Sequence, residues 1–375
     1  MRYFILISFI FYFTKGYAHT KVENQLFAGI EVGSRGVRCA ILLVANNQKS
    51  ADSYKILKDS AITTNIINFN EKSKEETLNA VVTFYTFAIN KYAILKSNIF
   101  IGVSSGVYVA SKKEAKLLYL DSIFNSFKQK VNNDKPNWQV LSVDEESENI
   151  YISMIPSLAK KESLLFDFGS SNVKGGFYNV NSFGDDEFVP LNVGWGASSI
   201  LKQIQKNATN SNTMANFYKM LDSLVKQAIT SEIHAMFTSR AGFSEKRNVI
   251  FAGGISWAIN NFLMPDQSKF DFLKLNKNDL DKLRILLKDN YNNTLIDPTI
   301  FTQNILEADK KEVALTKIKS ILKIYDIKAL ICGVEFLYAF TQELNLHQPN
   351  ANVGVTQQGA SGWLPGYIQQ NIQAK

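Results

Sequence analysis

The sequence predicts an α/β protein of two related halves with a cleft between them. Three observations carry that expectation. Hydrophobic residues make up 46% of the 375, enough for a sizeable core, and the length suits two domains at roughly 150 residues each. Short β-like runs repeatedly meet a glycine turn and then a helical pattern. One turn also occurs twice, as GIEVGSRGVR at 29–38 and LFDFGSSNVK at 165–174. In both copies an acid (Glu31, Asp167) precedes one apolar residue and Gly-Ser (Gly33-Ser34, Gly169-Ser170). A base (Arg38, Lys174) closes each turn. Repetition at matching places in two halves points to a duplicated unit with the turns facing each other.

The elements follow in order. The first residues are Arg2, an apolar run from Tyr3 to Phe13, and Gly-Tyr-Ala, which together read as a secretory signal peptide cut after Ala18. The run is shorter than the ~20 residues a membrane helix needs. An exported chain, periplasmic or secreted, with no stable membrane span after cleavage is therefore expected. Residues 26–44 read as two strands joined by a glycine turn, and 98–111 as a strand ending in small residues. Residues 137–155 read as a strand, an acidic helix start and a helix. Residues 163–180 read as strand, turn and strand; 188–204 and 247–263 each read as strand, glycine turn and helix. Residues 279–291 and 323–344 have helical patterns. The expected divisions are an N-terminal domain over 25–155, a C-terminal domain over 160–345, and a loosely ordered polar tail over 346–375, rich in Gln and Asn.

Composition excludes several classes. The net charge of +7 comes from scattered bases, which favours anionic ligands but forms no compact patch for nucleic acid. Cys39 and Cys332 lie in apolar runs and read as buried thiols, although export would permit a disulfide. Three histidines and two cysteines show no zinc-like spacing, so no structural transition metal is expected. A homodimer is left open.

The two turns suit phosphate chemistry. Glycine lets consecutive backbone N–H groups close on an anion, and the hydroxyls of Ser34, Ser170 and Ser171 add donors. Arg38 and Lys174 offer charge to phosphoryl oxygens. An acid beside each turn makes sense if it holds a hydrated divalent ion that bridges to phosphate. The DEESE run at 144–148 supplies a carboxylate to orient water. Taken alone, each piece has an ordinary structural reading: Gly-Ser turns are common, and acids before a helix usually cap it.

In this order the pieces resemble the exopolyphosphatase/guanosine pentaphosphatase family, within the actin–hexokinase–sugar-kinase ATPase superfamily. The resemblance runs over about residues 27–345. GIEVGSRGVRCAIL is similar to the first phosphate motif, and VDEESENIYISM to the segment carrying the catalytic glutamate. LLFDFGSSNVKGGFY is similar to the second phosphate motif, NVIFAGGISWAI to the later Gly-Gly motif, and IYDIKALICGVEFLYAF to the closing helix. The resemblance implies two ribonuclease H-like (actin-like ATPase) domains, with hydrolysis of phosphoanhydrides between them. Glu146 would activate water, with Glu145 its near neighbour, and Asp167 would be catalytic through the metal. Together with the residues' own chemistry, the expected phosphate-binding set is Gly33, Ser34, Arg38, Gly169, Ser170, Ser171, Lys174, Gly253 and Gly254. Glu31 and Asp167 would hold Mg²⁺, or Ca²⁺ or Mn²⁺ in its place. The expected ligand is polyphosphate or a nucleotide. The chain departs from the family pattern at Glu31 (Asp), Ser170 and Ser171 (Gly), Lys174 (Glu) and Tyr108 (Arg). These departures favour a second reading, a non-catalytic phosphate-ligand or partner-binding module of the cell envelope. A sugar kinase is a third reading, disfavoured by export away from ATP. The geometry of Glu146, Asp167 and Lys174 discriminates among them.

Overall fold

The computed structural model describes residues 25–45, 50–207, 213–265, 272–293, 296–356 and 362–373. The expected signal peptide lies outside them. The first sheet contains β1 (Gln25–Gly33), β2 (Gly36–Val44), β3 (Tyr54–Thr63), β4 (Ile99–Val103) and β5 (Asn137–Val140). Its spatial order is β3-β2-β1-β4-β5, an antiparallel meander followed by parallel strands. The second sheet contains β6 (Ser163–Phe168), β7 (Val173–Val180), β8 (Asp186–Val193), β9 (Asn248–Ala252), β10 (Phe272–Lys274) and β11 (Asn352–Thr356). Its order is β10-β11-β9-β6-β7-β8. Leaving aside the short edge strand β10, the two sheets share one plan. Two hairpin-linked strands flank the first strand on one side, and parallel strands reached through helices lie on the other.

The central strands are apolar on both faces, as strands covered by helices on both sides must be. Every residue of β4 is buried, and four consecutive residues of β6, Ser163 to Phe166, are buried. Helices are started by local chemistry. Asn70 and Ser73 form a reciprocal capping box before the Glu71–Tyr92 helix, and Ser142 and Glu145 do the same before the Val143–Met154 helix. Cys39 and Cys332 are free and buried, one in β2 and one in the Ile327–His347 helix. Among the described residues no helix is long and apolar enough to cross a membrane.

The C-terminus differs from the expected loose polar tail. Asn352–Thr356 adds a strand to the second sheet, and Leu364–Gln373 is a helix packed on the first half. The chain therefore returns to where it began. Trp363, Leu364, Tyr367 and Ile368 repeat at helical spacing and are buried beside Phe27, Phe100 and Tyr151. Burying each such side chain contributes about 1.5–3 kcal/mol. Two glycines admit them: a Cβ on Gly29 would come within 2.9 Å of Ile368, and one on Gly102 would overlap the Trp363 ring. Polar anchors complete the seat. Ser153 Oγ accepts the Gly366 N–H at 2.8 Å, and Gln369 Oε1 accepts the Ser50 N–H at 2.8 Å. Gln370 and Asn371 lie on the less buried side of this helix and Gln369 is an anchor in the seat, so a Gln- and Asn-rich composition alone read as a tail.

Candidate active site

The repeated turn is a repeated hairpin. Glu31 faces Arg38 across β1 and β2, and Asp167 faces Lys174 across β6 and β7. Each acid and base is thus a cross-strand pair on one face, placed by the two-residue period of the strands. The second turn closes on itself: the Gly169 N–H donates to the Asn172 carbonyl at 3.0 Å. The Ser170 carbonyl then accepts from the Ser198 N–H at 2.7 Å, at the start of the Ala197–Asn207 helix. That helix end is satisfied by this chain's own backbone.

Glu146 reaches the site from the first half. Its neighbour Glu145 is spent on the capping box, accepting the Ser142 N–H at 2.7 Å and the Gln139 side-chain amide at 2.9 Å. One residue on, the helix turns about 100°, and Glu146 points inward, 3% exposed. Its Oε2 accepts the Ser105 N–H at 2.7 Å, at the first residue of the Ser105–Lys113 helix, where the helix dipole favours an anion. Its Oε1 pairs with Lys174 Nζ. Lys174 Nζ also lies 3.9 Å from Asp167 Oδ2. The ammonium therefore stands between a carboxylate from each half. In the first hairpin, Arg38 Nε lies 3.9 Å from Asp59 Oδ1, within its own sheet.

Burial shapes the charges. It pushes the Asp167 carboxyl above its usual range; Lys174 opposes this and Glu146 reinforces it. Burial likewise raises Glu31, against the pull of Arg38. For Lys174, burial alone would lower the pKa. The charges of Glu146 and Asp167, with a hydrogen bond to Glu146, outweigh burial and hold the lysine above its ordinary value. Lys174 is a lasting cation here.

These groups line one cavity of about 440 Å³. Glu31, Arg38, Glu146, Asp167, Lys174, Gly253 and Gly254 are among its walls. Gly33, Ser34, Gly169, Ser170 and Ser171 sit on the two turns and are not among the described lining residues. Gly253 has a φ of +88°, open to glycine, and a Cβ there would overlap Asp167 Oδ1. A Cβ on Gly254 would overlap the Tyr325 hydroxyl. The glycine pair thus lets an acid and a phenol approach the backbone. Sequence reasoning missed Tyr325, Trp257 and Trp363, which also line the cavity. Burial pushes the Tyr325 hydroxyl up to about 12, with Asp167 adding to the shift. Trp257 sits in an apolar run that core packing explains equally well, and Tyr325 (KIYDIK) and Trp363 (SGWLPG) carry no site signal in the sequence. Tyr108 is half-buried on the Ser105–Lys113 helix and is not among the described lining residues.

A divalent ion here would be held by one or two of these carboxylates together with water or phosphate oxygens, not by three acids. Among the described residues, no three of the cleft's acids bring an oxygen each within 4.8 Å of one another. Lys174 fills the place between Glu146 and Asp167. Glu31 folds back over its own turn, its Oε1 3.3 Å from the position of a Gly33 Cβ, and faces the Trp363 indole. Glu31 and Asp167, the expected metal ligands, line the same cavity from opposite hairpins. Both carboxylates feel Glu146 and Lys174, and the cation between the halves is an ammonium.

No family model matches the chain, and no curated protein matches it by sequence. Solved structures do match. A member of the Ppx/GppA family from Aquifex aeolicus is 12% identical, with a TM-score of 0.59; the match covers 94% of this chain and 99% of that one. An exopolyphosphatase from Cytophaga hutchinsonii is 14% identical, with a TM-score of 0.58 and coverage of 92% and 98%. The mixed α/β architecture with two sheets matches the two-domain actin-like fold of these proteins.

Proposed function

We propose that the cleft binds the phosphate groups of polyphosphate or a nucleotide and hydrolyses a phosphoanhydride bond. The observation that carries this reading is the convergence of Glu146, Asp167 and Lys174 in one cavity between two copies of the same hairpin. Phosphoryl transfer asks chiefly for positioning and for charge neutralisation. Lys174 and Arg38 supply positive charge to phosphoryl oxygens. Glu146, fixed by the Ser105 N–H, orients the attacking water and takes its proton. Asp167 holds Lys174 toward the cleft. Two neighbouring folds are named as exopolyphosphatase or Ppx/GppA proteins, which supports the substrate class. Our reading takes the leader-like first residues as support for export, to the periplasm or beyond.

One observation favours a second reading. Both oxygens of Glu146 are already engaged, by Lys174 and by the Ser105 N–H. A water that uses this carboxylate must share an oxygen with the lysine or with the Ser105 N–H. A module that holds a phosphorylated ligand without cleaving it has no need of a free base.

One experiment decides between them. The purified chain is assayed for phosphate release from polyphosphate, ATP and GTP, with Mg²⁺, Ca²⁺, Mn²⁺ or EDTA, beside Glu146→Gln. Tripolyphosphate binding is measured by calorimetry in parallel. Release abolished by the substitution supports hydrolysis. Binding without release supports the second reading. Neither binding nor release sinks both.

A further inference from the structure

The second half brings together three side chains that the cleft does not use. Glu343 and His347 are four residues apart on the Ile327–His347 helix, so they share one face. His234 joins them from 109 residues before Glu343. It opens the His234–Ser239 helix, directly after a π-helical turn over Ile229–Ile233. Such turns are rare and frequent at functional sites. His234 Nδ1 lies 2.7 Å from Glu343 Oε1, and His347 Nε2 lies 3.1 Å from the same oxygen. One ligand atom of each residue lies within 4.8 Å of the other two.

Two imidazole nitrogens and a carboxylate oxygen are borderline donors that suit zinc and disfavour magnesium. Zinc at about 2.0–2.1 Å from each ligand in a tetrahedron places the ligand atoms roughly 3.3 Å apart. The two carboxylate–imidazole spacings, 2.7 and 3.1 Å, need only a slight opening, and the two imidazole nitrogens lie within 4.8 Å of each other. Two ligands are anchored, with side-chain exposures of 12% for Glu343 and 21% for His347, and the His347 ring packs against Phe237 at 5.7 Å. His234 is 60% exposed, which leaves a fourth position open to water.

We propose that His234, Glu343 and His347 form a binding site for a divalent transition ion of the zinc class, with three protein ligands and one water. The ion clips the His234–Ser239 helix to the Ile327–His347 helix. The site shares no residue with the cleft and does not rest on the proposed hydrolysis.

The test uses the full chain without a polyhistidine tag, stripped by a chelator and titrated with zinc sulfate by calorimetry. One zinc per chain is expected, not displaced by millimolar Mg²⁺. His234→Gln and His347→Gln should each weaken that binding by at least about a hundredfold. Cobalt substitution should give the visible bands of a tetrahedral ion, lost in both variants. Glu146→Gln should bind zinc as the unaltered chain does. His234 is exposed, so its variant keeps the fold, and circular dichroism checks the other. No zinc uptake, or uptake unchanged in both histidine variants, overturns the proposal.

Discussion

The two hairpins have the same strand order and the same acid–base register, yet their bases have different partners. Arg38 leans on Asp59 in its own sheet and is 36% exposed. Lys174 is 12% exposed and leaves its own sheet to pair with Glu146 from the other half. The first base is free to meet a ligand at little cost. The second is built into the contact between halves. The repeated hairpin presents two equivalent cations, and what each faces is decided by its packed neighbour: β3 for one, the Val143–Met154 helix for the other.

The largest test of this contrast is Lys174→Met. It strands Glu146 and Asp167 without their cation, and losing one partner of a buried pair typically costs about 3–5 kcal/mol. Urea unfolding measures it. A cost no larger than that of Arg38→Gln would erase the distinction between the hairpins.

Gly253→Ala comes next. The residue sits at φ +88° with Asp167 against it, whereas a Cβ on Gly33, beside Glu31, would lie 3.3 Å from that carboxylate. A cost of about 1–3 kcal/mol is expected for the strained backbone, with more if Asp167 cannot move. The same denaturation series reads it, and a neutral result would mean that Asp167 is not held there.

Asp167→Asn gives a smaller, pH-dependent effect. The folded carboxyl titrates above its ordinary 3.8, so the folded chain holds that proton more tightly than the unfolded one. Stability from this group is full below 3.8 and is lost as pH rises through the raised value. The asparagine cannot lose it, so the variant should gain on the unaltered chain across that window. Parallel unfolding curves from acid to neutral pH would test this; a gap that moves the other way refutes the sign.

Arg38→Gln should change stability least, by under about 1 kcal/mol, because its pair with Asp59 is partly exposed. If it costs as much as losing Lys174, Arg38 is committed to the fold after all.

Much of this was legible in the chain. The two turns, the acid and base that flank each of them, and the Gly-Gly helix start follow from local chemistry and short spacing; the cross-strand register came from the structure. The acidic helix start was legible too, but the choice between Glu145 and Glu146 was not: only the capping box, which takes Glu145, settles which carboxylate turns inward. The tail was misread because a Gln-rich composition hid a four-residue apolar face whose partners lie at the other end of the chain. The histidines gave no spacing signal, since His234 and Glu343 meet only when two distant helices pack.

The sequence by itself determined the alternation of strand, glycine turn and helix, because backbone freedom and side-chain period are local properties. It also determined that an acid and a base would flank each of two turns. Only the tertiary structure decided that Lys174 would face Glu146, that the C-terminal helix would close on the first half, and that His234 would meet Glu343 and His347. Those outcomes depend on which surfaces are buried against each other, and burial sets both the partner and the strength of a charge.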